Sequence, residues 1–131
     1  MTLWMLDTNT VSYYVKRRLT HAPSRQQLLA GDFCLSAVSE AELLFGLQKR
    51  PDAVTLNALI RTLLQGFPAL PFDSRAAQRY GILGSEMQRI GKALESLDML
   101  IAAHALSLGA TLVTSDQAFR HVPDLTIEDW S

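Results

Sequence analysis

The feature that most constrains this chain is an alternation of short apolar runs with longer segments of helical periodicity. Leu3-Trp4-Met5-Leu6, Phe33-Cys34-Leu35, Ala69-Leu70-Pro71-Phe72 and Thr111-Leu112-Val113-Thr114 read as buried strands, and Leu125-Thr126-Ile127 as an edge. Between them, Ser39 to Leu47 opens with a capping-box pattern, Ser39-x-x-Glu42. Pro51-Asp52 opens a second helical segment to about Gln65, with Leu56, Leu59, Ile60, Leu63 and Leu64 on one stripe. Ser74 to Ile90 carries Ala76, Ala77, Tyr80, Leu83, Met87 and Ile90 at helical spacing. Ser96 caps a helix through Leu108, with Gly109 just past its end. A βαβα order of this kind predicts a three-layer α/β/α sandwich around a mostly parallel sheet of about four to five strands.

That topology says where chemistry should lie. In open α/β sheets, sites form outside the carboxyl ends of the strands. Asp7 directly follows the first strand and Asp116 lies just past the fourth, while Glu42 and Asp98 occupy early turns of helices whose starts face the same edge. Taken singly, each has an ordinary reading. Glu42 completes a capping box with Ser39, Asp98 complements a helix dipole, and Asp7 and Asp116 serve as turn residues. Taken together, four carboxylates at one edge repel unless a cation sits among them, and hard divalent ions prefer oxygen ligands. Asp73 also follows a strand but reads as a simple helix opener before Ser74.

Composition narrows the remaining classes. At 131 residues the chain has room for one domain, read here as residues 1–131, and 48% hydrophobic content supports a sizeable core. Charged residues are only 19%, which points to some surface being covered by a partner. A net charge of −1 makes the whole chain no electrostatic magnet for nucleic acid, so any such contact is local or cation-assisted. The best basic clusters are Lys16-Arg17-Arg18 and Lys49-Arg50, with Arg89 and Lys92 near Asp98; solvated helix ends are the plainer reading of each. The single Cys34 reads as buried and reduced, no apolar run reaches the roughly 18 residues of a membrane span, and a cytoplasmic location is expected. His21, His104 and His121 have no metal-site spacing, and His104 reads as a packing or hydrogen-bonding residue.

Four ordered motifs carry a family resemblance: Leu6-Asp7-Thr8-Asn9, Ser36-x-x-Ser39-x-x-Glu42-Leu43-x-x-Gly46, Asp98-x-x-Ile101-Ala102-Ala103-His104-Ala105, and Leu112-Val113-Thr114-Ser115-Asp116-x-x-Phe119. They resemble the VapC toxins of the PIN-domain superfamily across essentially the whole chain. The resemblance implies a PIN fold, Mg²⁺- or Mn²⁺-dependent endoribonuclease activity on RNA (tRNA among the candidates), and neutralisation by a cognate VapB-type antitoxin. It also implies a homodimer, an antitoxin tail in a groove near the acids, and contact with DNA only through the antitoxin. On this resemblance Asp7 and Asp98 are the principal metal ligands. Glu42 ligates directly or through water and orients the attacking water, and Asp116 completes the site. Asn9 and Ser115 match supporting polar positions. The chain departs from many relatives before Asp98, where Ala93-Leu94-Glu95-Ser96 replaces a Pro-Ile-Gly-like turn and adds the charge of Glu95. Two other readings compete on sequence alone. Asp7-Thr8-Asn9-Thr10-Val11 faintly mimics the nucleophile motif of haloacid-dehalogenase-like phosphohydrolases, and a non-enzymatic binding module would use the acids only as caps.

Overall fold

The computed structural model describes residues 2–131. Five strands, β1 (Trp4–Leu6), β2 (Phe33–Ser36), β3 (Ala69–Leu70), β4 (Thr111–Val113) and β5 (Ile127–Glu128), form one sheet in the order β3-β2-β1-β4-β5. Every pairing is parallel, with Leu6 opposite both Leu35 and Val113. The helices are α1 (Thr8–Val15), α2 (Arg25–Ala30), α3 (Ala37–Lys49), α4 (Val54–Gly66), α5 (Ser74–Arg89) and α6 (Ser96–Leu108). A 3₁₀ turn at Gln117–His121 follows β4. The mostly parallel, helix-covered sheet expected from the alternation is the one found. No helix among the described residues is long and apolar enough to cross a membrane.

Successive strand residues point to opposite faces, so a parallel sheet covered on both sides has two cores. Met5, Cys34 and Leu112 pack against α5 and α6 through Leu83, Met87, Ile101 and Ala102. Leu6, Leu35 and Val113 pack against the other helices through Val11, Leu28, Leu43, Ile60 and Leu63. Burial pushes the Cys34 thiol up to about 12, which keeps it protonated and unreactive. Trp130 is buried and meets Phe33 edge-on at 5.8 Å, while Phe33 stacks on Trp4 at 4.9 Å. Both tryptophans therefore serve packing.

Several local expectations change. Helix α3 begins two residues before Ser39, because Ser36 at the end of β2 is its N-cap and accepts from the Val38 N–H at 3.1 Å. Ser39 is interior and fully buried, and its hydroxyl has no hydrogen-bond partner among the described residues. The Ser39–Glu42 capping box is not formed. The segment after Pro51-Asp52 turns before it becomes α4 at Val54, held by the Asn57 amide, which donates to the Arg50 and Ala53 carbonyls. Ser96 is the first residue of α6 rather than its cap; that position belongs to Glu95, which makes no side-chain cap bond. Helix α5 is capped by Asp73 through the Ala76 N–H, as its sequence indicates, and it stops one residue short of Ile90. Helices α1 and α2 have no counterpart in the sequence reading. Gly109 takes φ +64° after α6, the left-handed turn that ends a helix into a strand.

The α5–α6 layer should carry much of the stability. Leu83 is fully buried between α5 and the sheet, whereas its neighbour Ile82 is 56% exposed. Leu83→Ala is expected to lower the unfolding free energy by about 2–5 kcal/mol through lost transfer energy and a residual cavity. Ile82→Ala should change it by no more than about 0.5 kcal/mol. Urea titration of both variants measures the contrast, and equal losses would contradict this packing.

Candidate active site

The strand order reverses at β1. From it the chain builds outward to β2 and β3, then returns to place β4 on its other side. A crevice at the carboxyl end of such a switch point is the usual place for a site in an open α/β sheet. Here a cleft of about 480 Å³ is lined by Asp7, Thr8, Asn9, Glu42, Ala93, Leu94, Glu95, Asp98, Asp116 and Ala118. All four candidate carboxylates and Asn9 are among them. Ser115 is not; its carbonyl accepts from the side-chain amide of Gln117, two residues further on.

Asp7 connects strand, helix and cleft. It is 5% exposed, and as N-cap of α1 its Oδ1 accepts from the Thr10 N–H at 2.7 Å. Its Oδ2 accepts from the Thr114 hydroxyl at 2.5 Å. Thr114 in turn accepts from the Asp116 N–H at 3.0 Å, so one buried hydroxyl links the ends of β1 and β4. Thr10 donates to the Val113 carbonyl and closes the same junction. Glu42, six residues past the α3 cap, accepts from the Thr8 hydroxyl at 2.6 Å. Asp116 is exposed and caps the 3₁₀ turn through the Ala118 N–H. Asp98 lies half-buried in the first turn of α6. The supporting hydroxyls of Thr8, Thr10 and Thr114 were not singled out from sequence, where a threonine beside a strand end looks like ordinary strand composition.

The electrostatics are those of crowded acids. Burial first, and then Glu42, Asp116, Glu95 and Asp7 in turn, push the Asp98 carboxyl up to about 6. Burial also raises Asp7, against the lowering effect of its bonds from Thr10 and Thr114 and with a smaller push from Asp116. No lysine or arginine lines the cleft among the described residues. Glu95 adds a fifth acid to the lining, so the departure before Asp98 makes the cleft more negative.

The donor set is all oxygen, which suits Mg²⁺ or Mn²⁺ and not a soft metal. Among the described residues, no three His, Cys, Asp or Glu side chains are gathered tightly enough to clasp an ion alone. That separation is compatible with Mg²⁺, which takes one or two carboxylates and keeps several waters. The residues present therefore fit a hydrated hard cation.

Comparison with known proteins follows the same line. The model of the PIN domain family matches residues 4–125. The tRNA(fMet)-specific endonuclease VapC of Salmonella typhimurium is 31% identical over 131 residues, covering 99% of both chains. Ribonuclease VapC2 of Haemophilus influenzae is 35% identical over the same shares. Among solved structures, the DNA-bound VapBC of Salmonella typhimurium superposes with a TM-score of 0.89 at 31% identity, covering 100% of both chains. VapBC2 of Rickettsia felis, bound to a DNA fragment from its promoter, gives 0.87 at 28% identity over 99% of this chain and 100% of that one. Alike in fold and in sequence to these proteins over its whole length, the chain belongs to the PIN domain family and, within it, to the VapC ribonucleases.

Proposed function

We propose that this chain is the toxin of a type II toxin–antitoxin module, an endoribonuclease that uses Mg²⁺ or Mn²⁺ and is restrained by a VapB-type antitoxin. The observation that carries the metal-dependent reading is the acidic cleft at the switch point, with no lysine or arginine among its lining residues. We read residues 1–131 as one PIN domain and place it in the cytoplasm, in keeping with a single buried, reduced Cys34. RNA is the substrate class, as the names of the relatives say of those proteins; tRNA is our candidate within it.

In this reading Asp7 and Asp98 are the principal cation ligands, with Glu42 and Asp116 completing the set. When bound, the ion supplies a Lewis acid and an activated water for in-line displacement at a phosphodiester. The protein's own part is orientation. Thr10 and Thr114 hold both Asp7 oxygens, so this carboxylate offers a fixed lone-pair direction to the cleft. Thr8 does the same for Glu42 and leaves its second oxygen to orient a water. Burial and the neighbouring acids make Asp98 harder to ionise than an ordinary carboxyl when no cation is present. The names of the curated relatives, an endonuclease and a ribonuclease, favour this reading over the phosphohydrolase and pure-binding ones.

Two surfaces support partners. Phe45 and Leu97 stand 64% and 46% exposed beside an apolar cleft lined by Val38, Phe72 and Leu100, which suits a second copy of the chain. Leu59, 43% exposed, floors two adjoining grooves rimmed by Arg17, Arg25, Lys16 and Arg18, which suits an apolar segment carrying acids. Sedimentation of the isolated protein is expected to give a dimer. Co-expression with the neighbouring antitoxin gene should yield a complex with suppressed cleavage; a monomer indifferent to that product would contradict the partner reading.

RNA cleavage is expected to stop in excess EDTA and return with Mn²⁺, read as cleaved ends on a gel. Undiminished cleavage in EDTA would remove the cation from the proposal. Asp98→Asn should abolish cleavage and separate the two readings of that residue by stability. Its folded pKa is raised, so its stabilising contribution is full below the unfolded value near 3.9 and is lost as pH rises through about 6. In EDTA the wild type should therefore lose melting temperature between about pH 4 and 7, and Asp98→Asn should flatten that loss. At neutral pH the variant should match or exceed the wild type in EDTA, yet lose the extra stability that Mn²⁺ gives. A variant that melts lower in EDTA but keeps the whole Mn²⁺ shift would make Asp98 a helix-start residue only.

A further inference from the structure

His104 is buried to 2% exposure in the middle of α6, and the reaction proposed above gives it no part. Its Nδ1 lies 2.8 Å from the hydroxyl of Ser36, itself fully buried. Ser36 is the N-cap of α3 and already accepts from the Val38 N–H, so its own hydrogen is free to donate to Nδ1. Phe72 meets the imidazole edge-on at 5.5 Å. Burial lowers the pKa of His104 against the opposing effect of Asp73, which favours the neutral ring.

The placement of this bond matters more than its strength. Glu42 lies six residues after Ser36 along α3, and Asp98 lies six residues before His104 along α6. At about 1.5 Å per residue, each acid is roughly 9 Å from the bond along its helix, in opposite chain directions. The hydrogen bond and the facing acids are therefore two points on one helix–helix contact. Between and beside them the contact is apolar, with Val38, Ala41 and Phe45 of α3 and Leu97 and Leu100 of α6 lining one cleft. Apolar packing is non-directional and tolerates a slide, whereas a buried hydrogen bond does not. Ser39, the one other buried hydroxyl on this stripe of α3, makes no bond. Among the described residues, Ser36–His104 is the only hydrogen bond joining α3 and its cap to α6.

We infer that His104 is a positioning residue: through Ser36 it sets the register of α3 against α6, and so the spacing at which Glu42 and Asp98 present their carboxylates to a cation. This rests on the cation site proposed above and adds to it a residue that touches neither metal nor RNA. The role is conformational, and disturbing it should weaken cation binding before it unfolds the protein.

The test is calorimetric titration of Mn²⁺ into the full-length, metal-free protein at neutral pH, with melting curves in EDTA as the check on folding. His104→Phe and Ser36→Ala should each bind Mn²⁺ about tenfold more weakly than wild type, the scale of losing an outer-shell partner. The double variant should be no weaker than the worse single, since both changes break the same tie. His104→Asn keeps a polar atom at the δ position and should recover most of the affinity. Cooperatively folded variants with wild-type Mn²⁺ affinity would overturn the inference, as would losses that add in the double variant or an Asn variant no better than Phe. If His104→Phe does not fold, Ser36→Ala decides the matter alone: unchanged affinity overturns the tie. A wild type that binds no Mn²⁺ is a separate failure, because it removes the cation site itself.

Discussion

Everything at the working edge depends on one buried carboxylate. Asp7 ends the central strand, starts the first helix and faces the cleft, and both of its oxygens are already committed to Thr10 and Thr114. A buried carboxylate is expensive unless hydrogen bonds or opposite charge offset its desolvation. Here the bonds do part of that work and leave its pKa raised. The remainder is a standing demand for positive charge that, among the described residues, no lysine or arginine in the cleft meets. Stability and chemistry are therefore in tension at the same atoms. The fold tolerates the tension because two fully packed cores, one on each face of the sheet, lie directly beneath it.

The fold was legible where hydrophobic period and length agreed. The strands of the central sheet and the four longer helices follow from short apolar runs and from stripes at helical spacing, and so does their parallel arrangement. Helix α1 was not legible for a physical reason. Thr8 to Val15 holds two threonines, two tyrosines and two valines, residue types that suit strands, and only the Asp7 cap and the burial of Thr10 and Val11 make it helical. Helix α2 is short and marked mainly by the Ser24–Gln27 capping box. The supposed box at Ser39 shows the opposite error. The pattern matched, but Ser36 caps the helix instead and Glu42 turns to Thr8.

The cleft divides in the same way. Its acids could be picked out because topology sends strand ends and helix starts to one edge, whatever the residues between them do. The threonines that orient those acids could not, since a hydroxyl acts through the direction of a bond and no spacing rule in the sequence records that direction. Ser115 illustrates the limit from the other side. It neighbours Asp116 in sequence, yet the turn after β4 carries it out of the cleft lining. Residue type and position were enough to find the charge, while its alignment emerges only from tertiary structure.

The bond between Thr114 and Asp7 spans 107 positions of sequence. Contacts this far apart close late, because the loop between them must be drawn in before they give any return. During synthesis the N-terminal strand leaves the ribosome long before its β4 neighbour is made, so until then one side of β1 is unpaired and one oxygen of Asp7 lacks its donor. The edge where four acids meet cannot be assembled from a partial chain. A chain that stops before β4 therefore lacks three things at once: the strand that pairs the second side of β1, the hydroxyl that holds Asp7, and Asp116 itself.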